Sequence, residues 1–352
     1  MNAMLDTLTL KLPLWPGGET LRCVGRREET HDCATFELMA DHPAHFAYHP
    51  GQFVTVGVDI DGKKHQRAYS ISSTPSRPEA LSITVKRVPC GLVSNHLLDH
   101  FQPGDRIEAS APMGEFRLDT DAPPREVVLL SAGSGITPMM AMSRWLLDHG
   151  HAAAIRFIHS AHSEHDVIFR DELVALQQRH ANFRLDLFLS QPSERIACHS
   201  GRLNAEQLDA LLPDVGDAHI FLCGQQGYME MVEAWRCKRG IADERFRKES
   251  FTPATAAPVA QNAATFGLSV PGFGKSGEIR AGQSLLEALE HEAVPIFGAC
   301  RSGVCGSCKC KVTEGETEST STATLTDDEI AAGYVLACST HAKSDLVVDL
   351  AI

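Results

Sequence analysis

Four cysteines near the end of this 352-residue sequence have a spacing that suits iron–sulfur chemistry. The segment CRSGVCGSC has the spacing C-x4-C-x2-C, and a fourth cysteine follows thirty residues later in YVLACS. Plant-type [2Fe–2S] clusters are held with this spacing. The loop must turn sharply around the cluster, and Gly303 and Gly306 permit such a turn. The predicted ligands are Cys300, Cys305, Cys308 and Cys338.

The pattern of the cysteines argues against a zinc site, and the other thiols are interpreted as ordinary ones. Zinc ribbons favour two separated C-x2-C pairs, whereas this sequence has one. Cys310, two residues beyond Cys308, is interpreted as a packed thiol, although a shift of register would make it a ligand. Five further cysteines have no Cys or His at ligand-like spacing and are interpreted as ordinary thiols: Cys23, Cys33, Cys90, Cys198 and Cys237.

The composition is that of a globular protein with two or three domains. It is 43% hydrophobic and 22% charged. The net charge of -13, with no long Lys/Arg run, argues against nucleic acid as a partner. No apolar stretch is long enough for a membrane span, and the first residues lack a signal-peptide pattern. We therefore expect a cytoplasmic protein with no membrane association.

The elements that must position these residues fall into three regions. Residues 18–120 contain short β runs between Gly and Pro turns, which predicts antiparallel β structure. Residues 121–251 alternate strands and helices, which predicts a parallel α/β sheet. Residues 252–264 are small and weakly patterned, as in a linker. Residues 265–352 combine a strand pair, a helix, the cysteine loop and a final strand, which predicts an α+β domain.

The segment LLSAGSGITPMM places a glycine turn between a buried strand and a helix. Free N–H groups and the helix dipole at such a turn attract phosphate, which suits a dinucleotide. Gly133 and Gly135 allow close backbone approach, and Thr137, followed by Pro138, lies at the start of the helix.

Further motifs occur in the order RAYSISS, VKRVPCGLVSNHLLD, FLCGQQGYM and KESF. Together with the cysteine loop, this set resembles the ferredoxin reductase superfamily with a C-terminal [2Fe–2S] domain. The resemblance covers about residues 20–352. It implies a multidomain protein with an antiparallel flavin-binding β-barrel, an NAD(P)H-binding α/β domain and a β-grasp ferredoxin domain.

The resemblance also implies roles for individual residues. Ser70 and Cys223 would lie beside the reacting rings and are the predicted catalytic residues. Lys86 would line the flavin, while Gly91, Val93 and Ser94 would offer backbone donors to its pyrophosphate. The full set of predicted cofactor-binding residues is Arg67, Ala68, Tyr69, Ser70, Val85, Lys86, Gly91, Val93, Ser94, Gly133, Gly135, Thr137, Pro138, Cys223, Gly224, Glu249 and Phe251.

The choice of cofactors follows in part from the residues. The segment HSAHSEHD, where NADPH readers place a basic side chain, has no Arg or Lys. His162 and His165 are weak cations, so the sequence favours NADH over NADPH. The Ser94 turn and the ESF segment resemble the FAD form of the family more than the FMN form.

The resemblance implies an NAD(P)H-dependent oxidoreductase that serves a multicomponent system. Electrons would pass from NADH to FAD, then to the cluster, then to a partner protein. The details most resemble hybrid-cluster protein NADH oxidoreductases and the reductases of Rieske oxygenases that demethylate betaines. One sequence does not separate these partners. The alternative is a redox-sensing or electron-carrier protein with a vestigial nucleotide site.

Overall fold

The computed structural model describes residues 12–193, 197–251, 264–296, 298, 301, 303, 306–322 and 324–350. Three sheets organise the chain in sequence order, and each has a core of its own. The predicted linker, residues 252–264, lies outside the described residues except for Ala264.

The first sheet is antiparallel and curls into a barrel. Its strands follow the order β4-β3-β6-β1-β2-β5. A bridge between Ile71, just beyond β4, and Ile83, in β5, joins the two ends of the sheet. Its elements are β1 (Thr20–Thr30), β2 (Cys33–Ala40), β3 (Phe53–Ile60), β4 (Lys63–Ser70), β5 (Leu81–Lys86), α1 (Leu92–His100) and β6 (Arg106–Ala109).

The second sheet is parallel throughout, in the order β10-β9-β8-β7-β11-β12. Its central strand, EVVLLSA, is apolar on both faces, because Val127 and Leu129 enter one core while Val128 and Leu130 enter the other. Its elements are β7 (Glu126–Ala132), α2 (Ile136–Asp148), β8 (Ala154–Ala161), α3 (Arg170–Arg179), β9 (Phe183–Leu189), β10 (His199–Ser200), α4 (Ala205–Leu211), β11 (His219–Cys223), α5 (Gln226–Lys238) and β12 (Phe246–Glu249).

The third sheet is mixed, in the order β14-β13-β19-β15-β17, with β16 and β18 paired beside it. A capping box of Ser284 and Glu287 begins α6, whose buried leucines pack on the sheet. Its elements are β13 (Thr265–Val270), β14 (Lys275–Arg280), α6 (Leu285–His291), β15 (Lys309–Glu314), β16 (Thr317–Ser319), α7 (Asp327–Ala331), β17 (Tyr334–Leu336), β18 (Thr340–Ala342) and β19 (Leu346–Asp349).

This architecture confirms the predicted fold class: an antiparallel barrel, a parallel α/β domain and an α+β domain. In the part of the chain that the structure describes, every helix is too short or too polar to cross a membrane. In the parallel sheet, the strand order reverses direction at β7, and open α/β sheets bind ligands at the carboxyl ends of the strands around such a point.

Candidate active site

The end of β4 carries the residues predicted to contact the flavin. Ser70 is buried opposite Phe53 of β3, whereas Arg67 and Tyr69 are half-buried. Burial raises the pKa of the Tyr69 phenol, so this ring stays neutral. Burial and the Arg301 guanidinium lower the pKa of Arg67. Arginine nevertheless keeps its charge at neutral pH, so Arg67 offers a cation for a phosphate group.

Glu249, in the parallel sheet, lies next to this end of β4, and Cys223 is on the neighbouring strand. The Ser70 hydroxyl donates a hydrogen bond to the Glu249 carboxylate, with 3.3 Å between Oγ and Oε2. Glu249 ends β12 and lies in register with Cys223, the last residue of β11. Burial raises the pKa of the Cys223 thiol, and the Glu249 charge raises it further. The structure therefore places a carboxylate beside Ser70, with a neutral thiol in register on the neighbouring strand.

The glycine turn after β7 lies against the same strand ends. A Cβ atom on Gly135 would lie 2.2 Å from the carbonyl oxygen of Cys223, so only glycine fits there without a shift of the backbone. Gly133 has φ of 54°, in the left-handed region that favours glycine. The predicted phosphate turn and the predicted catalytic cysteine are thus in backbone contact.

The first turn of α2 follows directly on the two glycines. The Thr137 hydroxyl donates to the carbonyl oxygen of Ser134 at 3.1 Å, so it closes the turn. Pro138, which has no N–H group, is buried in the first turn. The N–H of Ile136 donates to the carbonyl oxygens of Gly133 and Ser134, so the turn is closed by its own hydrogen bonds. What it offers to an anion is the positive end of the helix dipole.

Lys86 has a partner that the sequence did not suggest. Its ammonium lies 2.6 and 2.7 Å from the two carboxylate oxygens of Asp32, in the turn between β1 and β2. Burial raises the pKa of Asp32, but the hydrogen bonds from Lys86 and Thr30 and the charge of Lys86 together outweigh that effect, and the pKa is lowered. In this structure the charge of Lys86 is therefore neutralised within the barrel.

The turn before α1 uses some of its predicted donors internally. The N–H group of Gly91 donates to the carbonyl oxygen of Val88 at 2.8 Å. Ser94 Oγ accepts from the N–H of Val88 at 3.3 Å. The N–H groups of Val93 and Ser94 lie in the first turn of α1, where backbone donors have no helical acceptor. These two groups are the better candidates for a pyrophosphate.

The predicted cluster ligands divide into two described and two not described. Cys300 and Cys305 lie outside the described residues. Cys308 and Cys338 are buried together, and the N–H of Cys338 lies 3.4 Å from Cys308 Sγ. The N–H of Gly303 lies 3.2 Å from Cys338 Sγ. Backbone N–H groups directed at cysteine sulfurs stabilise thiolate ligands, so these residues fit an iron–sulfur cluster.

The neighbouring cysteine lies in a different environment. Cys310 is in β15, opposite Val335, in the apolar core of the third domain. Burial raises the pKa of its thiol to about 12, so it stays protonated. This supports its interpretation as a packed thiol.

A cavity of about 380 Å³ lies where the three domains meet. Its wall on the cluster side is Thr324, whose Oγ1 would be 2.9 Å from a Cβ on Gly306 of the cysteine loop. Phe53 and Arg247 were not predicted, because each lies in a strand and belongs to none of the motifs. The lining residues are Phe53, Gly114, Glu115, Phe116, Arg247, Lys248, Glu249 and Thr324.

The loop after β8, predicted to meet the adenosine end of the nucleotide, contains a held carboxylate. Glu164 accepts hydrogen bonds from the N–H of Ser193 at 3.1 Å and from the Ser193 hydroxyl. These bonds lower the pKa of Glu164 to about 2. His162 is exposed and pairs with Ser190. The loop therefore holds an ionised carboxylate next to Ser193.

The remaining predicted residues are spread around these elements. Ala68 is half-buried in β4, Val85 is buried in β5, and Gly224 is buried directly after Cys223. A Cβ on Gly224 would lie 3.0 Å from the Cβ of Ala132, so this position is also crowded. Phe251 is 39% exposed at the end of a described segment.

Family models match each of the three parts of the chain. The model described as "Oxidoreductase FAD-binding domain" matches residues 21–118. The one described as "Oxidoreductase NAD-binding domain" matches residues 129–234. The one described as "2Fe-2S iron-sulfur cluster binding domain" matches residues 270–343. The three matches together cover most of the chain in the predicted order.

Curated relatives and a solved structure match along nearly the whole length. The glycine betaine monooxygenase reductase subunit of Pseudomonas aeruginosa is 37% identical over 353 residues, covering 95% of this chain and 96% of that protein. The NADH oxidoreductase HCR of Escherichia coli is 40% identical over 323 residues, covering 91% and 94%. The structure of phthalate dioxygenase reductase superposes with a TM-score of 0.67 at 27% identity, covering 94% and 98%.

Proposed function

The chain belongs to the ferredoxin reductase superfamily, among the members with a [2Fe–2S] domain, and we propose that it passes electrons from NADH through FAD to the cluster and on to a partner protein. The observation that carries this proposal is the hydrogen bond from Ser70 to Glu249, which lies in register with Cys223. It joins the flavin-binding barrel to the nucleotide-binding sheet at one point. A nicotinamide and a flavin bound to these two domains would meet there.

The residues at this junction fit a flavin and a nicotinamide. Arg67 and the N–H groups of Val93 and Ser94 would hold the flavin phosphates, and Tyr69 would pack against the ring system. When bound, FAD accepts a hydride and releases electrons singly, which links a two-electron donor to a one-electron cluster. Ser70, fixed by the Glu249 carboxylate, presents an oriented hydroxyl at the junction.

The nucleotide domain would hold NADH by its backbone. The turn at Gly133 and Gly135 and the start of α2 would bind the pyrophosphate. Cys223 contributes an uncharged, buried surface that keeps water away from the transferred hydride. The intact glycine turn argues against a carrier protein whose nucleotide site is vestigial.

Glu164 supports NADH over NADPH. Its carboxylate is ionised at neutral pH and is held in the loop after β8 by Ser193. A 2'-phosphate near this charge would be repelled, whereas a 2'-hydroxyl could donate to a carboxylate.

The electron leaves through the cysteine loop of the third domain. The candidate acceptors are a Rieske-type oxygenase component, such as a betaine demethylase, and a hybrid-cluster protein. The two relatives reported above support one candidate each.

The test uses the purified full-length chain under anaerobic conditions. We expect bound FAD rather than FMN on extraction, bleaching of the flavin by NADH faster than by NADPH, and cluster reduction afterwards. Addition of a betaine oxygenase component or a hybrid-cluster protein then identifies which acceptor reoxidises the cluster. Protein that contains no flavin, or flavin that NADH does not bleach, would rule out the proposal. Rapid exchange with redox proteins without NADH oxidation would favour the carrier alternative.

A further inference from the structure

Arg144 in α2 is a buried cation that contacts both the barrel and the α/β domain. It is 8% exposed. Its Nε and Nη2 groups donate to the two carboxylate oxygens of Glu172 at 2.8 and 2.5 Å. Its Nη1 group donates to the backbone carbonyl oxygen of Ser72 in the barrel. Such a bidentate, charge-assisted pair fixes the plane of the guanidinium.

Within the α/β domain, an aromatic ring and a carboxylate contact this guanidinium. The Arg144 guanidinium carbon lies 4.8 Å from the centre of the Phe169 ring. Phe169 precedes α3 with φ of 59°, a left-handed conformation that is uncommon for a bulky residue. Glu172 lies in the first turn of the same helix. The ring and the carboxylate thus hold the guanidinium from two sides, and the Nη1 group is left to donate to the barrel.

The two elements that Arg144 joins are the ones that would carry the two reacting cofactors. Ser72 lies two residues after Ser70, at the end of the flavin element. α2 begins directly after the glycine turn, and Thr137 in its first turn lies seven residues before Arg144. Seven helical residues span about 10 Å of rigid helix. A movement of Arg144 against Ser72 would therefore be transmitted to the phosphate turn.

A second contact between the barrel and α2 is far more exposed than this one. Arg77 of the barrel pairs with Asp148 of α2 at 2.8 Å, and Ser76 donates to the same carboxylate. The Arg77 side chain is 63% exposed. Exposed ion pairs contribute little to structure because solvent screens them. Arg77 is therefore a matched control for Arg144.

We propose that Arg144 is a positioning residue for hydride transfer. It fixes α2 and its phosphate turn relative to Ser70, and so sets how closely the nicotinamide approaches the flavin. The inference rests on the proposed function. The transfer moves one hydride, which is a proton with two electrons, from C4 of NADH to the bound flavin and leaves NAD⁺. Arg144 contributes distance and orientation only.

The test measures flavin reduction by NADH in single turnover, with Arg144→Lys, Arg144→Gln, Glu172→Gln and the control Arg77→Gln. We expect the limiting rate to fall roughly 10- to 100-fold in the three Arg144 and Glu172 variants, because sub-ångström misplacement of reactants costs rate. The dissociation constant for NADH, read from the concentration dependence of that rate, should change less than the rate itself. Arg77→Gln should keep the wild-type rate.

Further measurements separate positioning from folding. FAD content, dithionite-reducible cluster and thermal unfolding should match those of the wild type in Arg144→Lys, the variant that keeps the charge. The double variant Arg144→Gln/Glu172→Gln should be no slower than either single variant, because one shared contact is lost.

Equal rates in Arg144→Lys, Arg144→Gln and wild type would overturn the inference. So would a slow rate explained by lost FAD. A wild-type protein that NADH cannot reduce would instead overturn the proposed function.

Discussion

The Ser70 hydroxyl and the Glu249 carboxylate, 179 positions apart in the chain, form a buried hydrogen bond of 3.3 Å between the barrel and the parallel sheet. Each group comes from the last residue of a strand, β4 for one and β12 for the other. A buried carboxylate needs hydrogen-bond donors, so the pair ties the approach of the two domains to the chemistry between them.

Replacement of Ser70 by alanine should slow flavin reduction by NADH. The variant removes the oriented hydroxyl and withdraws one donor from the buried Glu249 carboxylate. We expect the limiting rate to fall at least roughly tenfold, with FAD content unchanged. Stopped-flow absorbance of the flavin measures this. The control is Ser76→Ala, which removes a serine hydroxyl from a more exposed contact with Asp148. An equal effect in both variants would contradict the role given to Ser70.

A methyl group at Gly135 should disrupt the phosphate turn. The added Cβ would lie 2.2 Å from the carbonyl oxygen of Cys223, so the backbone of the turn or of β11 must shift. We expect Gly135→Ala to lose about 1–3 kcal/mol in the free energy of unfolding and to weaken NADH binding. Gly227→Ala in α5 is the control, since nothing lies within 4 Å of its added Cβ. That variant should gain up to about 1 kcal/mol from helix propensity. Chemical denaturation and the KM for NADH test both.

Neutralising Glu164 should weaken discrimination against NADPH. Glu164→Gln should raise the ratio of kcat/KM for NADPH to that for NADH roughly tenfold, because it removes a like charge near the 2'-phosphate. The exposed Glu206→Gln on α4 should leave the ratio unchanged.

The preference for NADH should not depend on the protonation of Glu164 near neutral pH. Because the pKa of Glu164 is about 2, its carboxylate stays ionised from pH 9 down to pH 6. The preference of the wild type for NADH should therefore not be lost through protonation of Glu164 in that range. Steady-state kinetics with both nucleotides at pH 6 and pH 9 measures this. A preference that disappears at pH 6 would point to protonation of a nearby histidine or of the 2'-phosphate, whose second pKa is about 6.

Local patterns were enough to predict the antiparallel, parallel and α+β parts of the fold and to select candidate site residues. The glycine turn, the cysteine spacing and the strand EVVLLSA are short segments whose structure follows from neighbouring residues. The same holds for Ser70 and Cys223, which lie in recognisable motifs. Their association with Glu249 was predicted only through a resemblance, because contact between residues 179 positions apart depends on how the domains pack.

The contacts that the sequence reasoning missed are those that cross domains or use the backbone. Arg144 appears in the sequence as one charge in an apolar helix, and its acceptor, the carbonyl of Ser72, has no sequence signature. Lys86 was expected at the cofactor because its motif suggests it. The structure pairs it with Asp32, a turn residue that lies in none of the predicted motifs. Phe53 and Arg247 joined the site only once the cavity was known.

Two cysteines separated by one residue should differ completely in function. Cys308→Ser should abolish the [2Fe–2S] cluster, because its sulfur lies beside Cys338 and backbone N–H groups point at this pair. Cys310→Ala should keep the cluster, since that thiol is packed in the core with its pKa raised to about 12. In Cys308→Ser, and in Cys305→Ser, which removes another predicted ligand, NADH should still reduce the flavin while transfer to cytochrome c or to the partner protein is lost. Electron paramagnetic resonance of the reduced protein measures the cluster, and flavin bleaching measures the first step. Loss of both steps in Cys308→Ser would contradict a path in which the cluster lies after the flavin. Loss of the cluster in Cys310→Ala would place that thiol among the ligands, as the shift of register would require.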